Sequence, residues 1–315
     1  MLRISEEQVE GSLDISTSID LARDAYRLQA TNKILNPSRA LLNVPGGASL
    51  YCMPAHVLGS KAIAVKIARV APDNVVSSLP STLATLYLYD SKTGECVAEI
   101  DAEALTAKRT AASTAVATDE LAREDSTVLG IFGTGRQAEA HIPALMHVRE
   151  LTRILVYSRN TKKLAEFASN ASKKYHVTVI AAKSSLQVLE SSDVLVLATS
   201  SSLPLFDGRL VKPGTHVNAV GAALPTTREV DSYLVQHSIL FVDSRDQARS
   251  TYGDILIPIK EGVIEASHIR GELGDLLIRP RLFSRRKDDI SLFKSGGVAA
   301  LDAVFAEHLA KLSKN

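Results

Sequence analysis

The spacing of apolar positions changes along the chain. Near the N-terminus Ile19, Ala22, Ala25, Tyr26 and Leu28 recur at helical spacing, which predicts a helix from about Ser18 to Thr31 with Ser18 or Thr17 as its cap. The pattern then shortens to that of strands. Ala40–Val44, Leu50–Met53, Lys61–Val70, Thr82–Tyr89 and Cys96–Ile100 are the expected strands, with turns at Gly46-Gly47, Pro72-Asp73-Asn74 and Lys92-Thr93-Gly94. Asp101 is expected to cap a long Ala/Thr-rich helix that runs to about Ala122, with Glu103 in its first turn. Strands and helices alternate from there: Thr127–Phe132, Arg136–Val148, Arg153–Ser158, Thr161–Lys174, Val177–Ile180, Leu186–Glu190, Val194–Ala198, His216–Val220 and Ile239–Val242. A final helix is expected over Gly297–Leu312.

Apolar strands alternating with amphipathic helices predict an α/β fold, a Rossmann-type doubly wound parallel sheet covered on both faces. The strands that precede it are expected to form a separate mixed α/β domain. A length of 315 residues suits two domains, and 45% hydrophobic residues supply a sizeable core. A net charge of +1 gives no reason to expect nucleic-acid or membrane binding. Cys52 and Cys96 lie far apart without metal-like spacing, which suits free cytosolic thiols. No signal peptide or membrane-length apolar run is visible, so a cytoplasmic protein is expected.

The segment Val128-Leu129-Gly130-Ile131-Phe132-Gly133-Thr134-Gly135-Arg136-Gln137-Ala138 points to a ligand. An apolar strand runs straight into Gly-x-Gly-x-x-Ala, and a helix follows. Gly133 permits the tight turn, Gly135 lets backbone approach a pyrophosphate, and Ala138 keeps helix close to strand. The free N–H groups at the helix start, from Arg136 and Gln137 onward, would face the phosphates. The second strand, Arg153–Ser158, follows at the spacing that a βαβ unit needs.

In such folds an acidic residue about 20 residues past the glycines bonds the ribose 2′-hydroxyl of NAD. Here the run is Tyr157-Ser158-Arg159-Asn160-Thr161-Lys162-Lys163, with no carboxylate. Ser158, Arg159 and the helix start at Asn160 can instead bind a 2′-phosphate through charge-assisted hydrogen bonds. NADP(H) is therefore the expected cofactor, with NAD(H) admissible. Thr199, after the strand ending at Ala198, and Asn218 and Val220, on the strand His216–Val220, are also expected beside it, because ligands sit at the carboxyl ends of parallel strands. Ser81 is a further expected cofactor-binding residue.

Lys66 alternates with Ala62, Ala64 and Ala68 on one face of its strand. Such a lysine could project into a cavity or face solvent on an edge strand. Arg109 stands next to Lys108 in the Ala-rich helix, where a solvated pair is the plain reading, and Arg39 has no distinguishing local pattern. No HExxH, Cys/His cluster, GxSxG or P-loop is present, so neither a metal site nor a serine hydrolase is expected.

Several separated segments together resemble the ornithine cyclodeaminase/mu-crystallin family: Leu50-Tyr51-Cys52-Met53-Pro54-Ala55, Ala64-Val65-Lys66, Thr106-Ala107-Lys108-Arg109-Thr110-Ala111-Ala112, Gly133–Ala138, Gly253-Asp254-Ile255, Gly271-Glu272-Leu273-Gly274-Asp275-Leu276 and Leu292-Phe293-Lys294-Ser295-Gly296-Gly297. The resemblance covers nearly the whole chain. It implies a homodimer in which residues 1–118 with 297–315 form the substrate-binding and dimerisation domain and residues 119–296 form the dinucleotide-binding domain. It also implies that Lys66 and Arg109 hold the substrate carboxylate and reacting centre, that Arg39 assists, and that Gly296 and Gly297 lie beside nicotinamide and substrate.

One departure bears on the branch. Cyclodeaminases and the alanine dehydrogenase branch carry an aspartate shortly after the Asn-Ala-Val-Gly stretch, and here Ala223 occupies that position. A methyl group can neither act as a base nor bind an ammonium. Cys52 likewise stands where a cyclodeaminase is expected to have a glutamate nearby. The pattern is more similar to the family's ketimine reductases, which implies NAD(P)H-dependent reduction of a small cyclic imino acid, Δ1-pyrroline-2-carboxylate or Δ1-piperideine-2-carboxylate, to L-proline or L-pipecolate. A cyclodeaminase, an amino-acid dehydrogenase or a mu-crystallin-like binding protein are the alternatives.

Overall fold

The computed structural model describes residues 1–45, 47–71, 82–279 and 283–313. Ser81 and the turn Pro72-Asp73-Asn74 lie outside the described residues, as does Gly46. The chain divides into two compact units, Met1–Arg109 with Val298–Asn315, and Thr110–Gly297. The division falls between Arg109 and Thr110, inside the helix Ala102–Leu121, rather than after residue 118.

The first unit is built on a seven-stranded sheet. Strands Ser49–Val57, Ala62–Val70, Thr82–Asp90 and Cys96–Asp101 pair antiparallel in chain order. Ala40–Asn43 and Ile34–Leu35 pair with the first of these, and Leu2–Ile4 adds in parallel to the last. One sheet face is core: Tyr51, Met53, Ala55, Ala64, Leu86, Leu88, Ala98 and Ile100 are buried. The C-terminal helix Ala299–Leu312 packs on the strands Ser49–Val57 and Ala62–Val70 and against the helix Ile15–Ala30. That helix starts a turn earlier than the expected Ser18. Asp14 is its cap, accepting a hydrogen bond from the Thr17 N–H at 2.7 Å, while the Ser18 hydroxyl turns back to the Asp14 carbonyl. Several short polar residues, Asp14, Ser16, Thr17 and Ser18, precede the apolar stripe, and it is the carboxylate of Asp14 that reaches the Thr17 N–H.

The second unit holds an eight-stranded sheet in the order Thr178–Ala181, Arg153–Tyr157, Val128–Phe132, Val194–Leu197, His216–Ala219, Ser291–Lys294, Ile239–Val242, Ile269–Glu272. Every neighbouring pair is parallel. The strand that comes first in the chain, Val128–Phe132, lies between its successor in sequence and the fourth strand, so the order reverses beside it. This is the doubly wound, Rossmann-type arrangement, whose ligand crevice opens at such a reversal. The pattern of apolar residues missed one central strand. Ser291–Lys294 inserts between the fifth and sixth strands with all four residues buried, yet both of its ends are polar.

Among the described residues, no helix is long and apolar enough to cross a membrane.

Candidate functional site

In the second unit the glycine turn has the geometry its sequence demands. Gly133 takes φ +116°, and a Cβ there would stand 2.4 Å from the Ala198 carbonyl oxygen, so any side chain would both strain the backbone and collide with the neighbouring strand end. Gly135 is the N-cap of the helix Arg136–Val148 and gives it no side-chain cap. A Cβ at Gly135 would meet nothing within 4 Å. Open space over an uncapped helix start fits a diphosphate, which would accept from the N–H groups beginning at Arg136 and Gln137. Arg136 is exposed, and the Gln137 side-chain oxygen is buried without a hydrogen-bond partner among the described residues. Ser158, half-buried, and Arg159 and Asn160, exposed, follow the neighbouring strand directly. Asn160 caps the next helix by accepting from the Lys163 N–H at 3.0 Å.

Two further strand ends are tied together by a residue the pattern of the sequence did not single out. Glu229 is fully buried and acceptor to four donors: the Thr199 N–H and hydroxyl at 2.8 and 2.7 Å, and the Gly221 and Ala222 N–H groups at 2.7 and 3.2 Å. Burial pushes its carboxyl pKa up, whereas the Lys294 ammonium and the Thr199 donors favour the charged form. Asp254, also fully buried, accepts the Glu229 and Val230 N–H groups at 2.7 and 3.1 Å and pairs with the Lys294 ammonium at 2.7 Å. Lys294 also donates to the Ala222 carbonyl and stands over the Tyr252 ring. Tyr252 donates to Asp243, which accepts as well from the Ser295 hydroxyl and from the Gly296 and Gly297 N–H groups at 3.2 and 2.9 Å. The loop that carries Gly296 and Gly297 is thereby pinned to the strand end at Val242, and Gly297 sits at φ +84°.

The structure gives Thr199 to Glu229 rather than leaving its hydroxyl unengaged. Val220 is half-buried, its N–H donating to the Leu197 carbonyl. Asn218 is wholly buried: its amide donates to the Thr118 hydroxyl at 3.0 Å, and its oxygen lies 3.1 Å from His216 Nε2.

The first unit brings Lys66, Arg109 and Arg39 together. Lys66 lies on the core face of the strand Ala62–Val70 and is 1% exposed, so the edge-strand alternative falls away. Arg109 is also buried and is no part of a solvated pair; its neighbour Lys108 turns instead to the Glu10 and Leu13 carbonyls. What joins the two cations is Asp302 of the C-terminal helix, 1% exposed. Both its oxygens lie 2.8 Å from Lys66 Nζ, and one lies 3.2 Å from Arg109 Nε. Among the described residues Asp302 is the partner of both. Arg39, buried, lies with its guanidinium 5.1 Å from the centre of the Tyr51 ring. Burial, and then repulsion from Arg109, lower the Lys66 pKa to about 8, against the opposing pull of Asp302. Two buried cations, Lys66 and Arg109, share one carboxylate, which leaves net positive charge in a dry setting, and a guanidinium fork has the geometry that suits a carboxylate. Asp302 left no mark in the sequence beyond an acidic residue among the apolar positions of the last helix.

The Rossmann-type unit thus carries a glycine turn open enough for a diphosphate, and the first unit a buried cationic cluster. The comparison with known proteins is specific: residues 2–311 match the ornithine cyclodeaminase/mu-crystallin family, and the chain belongs to it. The Δ1-pyrroline-2-carboxylate reductase of Thermococcus litoralis, solved in complex with NADH and L-proline, is 36% identical with a TM-score of 0.96, covering 99% of this chain and 97% of its own. An archaeal alanine dehydrogenase dimer with bound NAD is 28% identical with a TM-score of 0.93, covering 100% and 97%. The ketimine reductase mu-crystallin of Mus musculus is 31% identical over 309 residues, 96% of this chain and 95% of its own.

Proposed function

We propose that the protein is an NADPH-preferring reductase of small cyclic ketimine carboxylates, converting Δ1-pyrroline-2-carboxylate or Δ1-piperideine-2-carboxylate to L-proline or L-pipecolate. The observation that carries this reading is the buried Lys66–Asp302–Arg109 cluster with its excess positive charge. Arg109, with Arg39, would take the substrate carboxylate, which fixes the α-carbon. A bound reduced nicotinamide supplies the hydride. The C=N carbon gains that hydride and the nitrogen gains a proton, so the imine becomes a secondary amine. Lys66, with a pKa of about 8, can hold and release that proton near neutral pH. The turn at Gly133 and Gly135 would hold the diphosphate, with Ser158 and Arg159 at the ribose. Ala223, placed where other branches carry an aspartate, supplies no base for releasing ammonia.

A homodimer in the cytoplasm belongs to the same reading. Its support is the second face of the first unit's sheet, where Leu50, Ile63, Val65, Ile67, Leu83 and Tyr87 are only half-buried in a single chain.

The test is an assay of five- and six-membered cyclic imino acids, and of ornithine, with NADPH and with NADH. Cofactor oxidation with a cyclic imine is expected. Ammonia release from ornithine without net cofactor consumption would mean a cyclodeaminase, and tight binding without turnover a binding protein. Arg159→Ala should erode the NADPH preference; a strong NADH preference in the unmutated enzyme would overturn the cofactor assignment.

A further inference from the structure

The C-terminal helix buries Ala299, Ala300, Leu301, Ala303, Phe305, Ala306 and Leu309, and a carboxylate among them. An ionised side chain in such surroundings is costly unless it is paired. Asp302 is paired twice, with cations from two other elements: Lys66 from a sheet strand and Arg109 from the helix Ala102–Leu121. Lysine is a flexible four-carbon arm, and within the described residues its ammonium has no acceptor here but Asp302. Arg109 meets Asp302 through Nε, the nitrogen at the base of the fork, so this ion pair does not use its two terminal nitrogens.

We propose that Asp302 is the positioning residue of the site: it clamps the Lys66 ammonium and the Arg109 guanidinium in one fixed relation, so that one group grips the substrate carboxylate while the other serves the imine nitrogen. The inference rests on the imine-reductase reading for its chemistry but not for its geometry. The charged groups that face Lys66 are Arg109 on its helix, Asp302 on the C-terminal helix and Arg39 ahead of the strand Ala40–Asn43. Asp302 alone of these favours the protonated lysine. Replacing its charge leaves two cations and burial acting against that proton.

Asp302→Asn keeps the shape and removes the charge. The alkaline limb of its pH–rate profile is expected about one pH unit or more below that of the wild type, with kcat lowered about tenfold or more. Asp302→Glu, which restores the charge on a longer arm, should return the limb to the wild-type position while kcat stays low. A carboxylate serving only to stabilise the fold would move the melting temperature and leave the limb where it was. Lys66 can also be followed without turnover, by 13C NMR of Cε-labelled lysines with Lys66→Ala assigning the signal. An unmoved Lys66 titration in Asp302→Asn overturns the inference whatever the substrate. A moved titration together with no imine reduction by the wild type supports the clamp and overturns only the proposed reaction. If Asp302→Asn does not fold, Asp302→Glu decides alone: wild-type kcat in that variant overturns the inference.

Discussion

In the first unit a single carboxylate, Asp302, faces Lys66 and Arg109, with Arg39 close by. In the second unit the proportion is reversed: Glu229 and Asp254 gather around one cation, Lys294, with Asp243 reached through Tyr252. Both clusters are buried, so both carry the desolvation cost of ionised groups. They meet it differently. The carboxylates of the second unit are acceptors for backbone N–H groups at strand ends, and those bonds fix the Thr199, Gly221 and Gly297 loops. The first cluster sets two cations against one carboxylate. A closed network holds backbone in place; on the proposed function, an open one takes the substrate's carboxylate. Perturbing the two clusters should therefore damage different properties.

The largest effect is expected in the closed cluster. Lys294→Met keeps the bulk and strips Asp254 of its cation, which should cost about 3–5 kcal/mol of stability, as when one partner of a buried pair is removed. Urea denaturation of the variant measures it, and a loss below about 1 kcal/mol would show that the network is not closed in this sense. In the open cluster, Arg109→Ala and Lys66→Ala should each lower kcat/KM by about 10²-fold or more, with a smaller effect on the denaturation midpoint. Near wild-type turnover in either purified variant would remove that residue from the mechanism, and a stability loss as large as that of Lys294→Met would erase the contrast.

A smaller effect comes from pH. His141 and His216 lie wholly buried in the second unit, where burial lowers their pKa values to about 4 and about 3. They stay neutral in the fold while the unfolded chain takes up protons below about pH 6.5. The unfolded state then binds more protons, so stability falls as pH drops from about 6.5 toward about 4 for His141 and about 3 for His216, by about 1.4 kcal/mol per pH unit for each. His216→Asn, offering neutral amide groups beside Ser291 and Asn218, should flatten that slope. An unchanged slope would assign the acid lability to other groups.

Local pattern carried the second unit far. Gly133, Gly135 and Ala138 after an apolar strand are adjacent in sequence, and their role follows from backbone geometry within a few residues. The helix Arg136–Val148 and the strand Ile239–Val242 have the bounds that spacing predicts. The strand Ser291–Lys294 was hidden because its buried ends are Ser291 and Lys294, whose partners come from distant segments. Glu229 and Asp243 were hidden for the same reason: a carboxylate that accepts from strand-end N–H groups looks in sequence like any loop acid.

The sequence by itself determined the alternation of strands and helices from Thr127 to Val242, the glycine turn and the presence of Lys66 and Arg109 as odd cations in alanine-rich surroundings. These are matters of period, spacing and the backbone freedom of glycine, all local. Only the tertiary structure decided what those cations face. Asp302 meets Lys66 across a sequence separation of 236 residues, because the last helix of the chain folds back onto the sheet of the first unit. An ion pair of that kind depends on the packing of whole elements and on the low dielectric they create between them, and neither is written in the residues on either side.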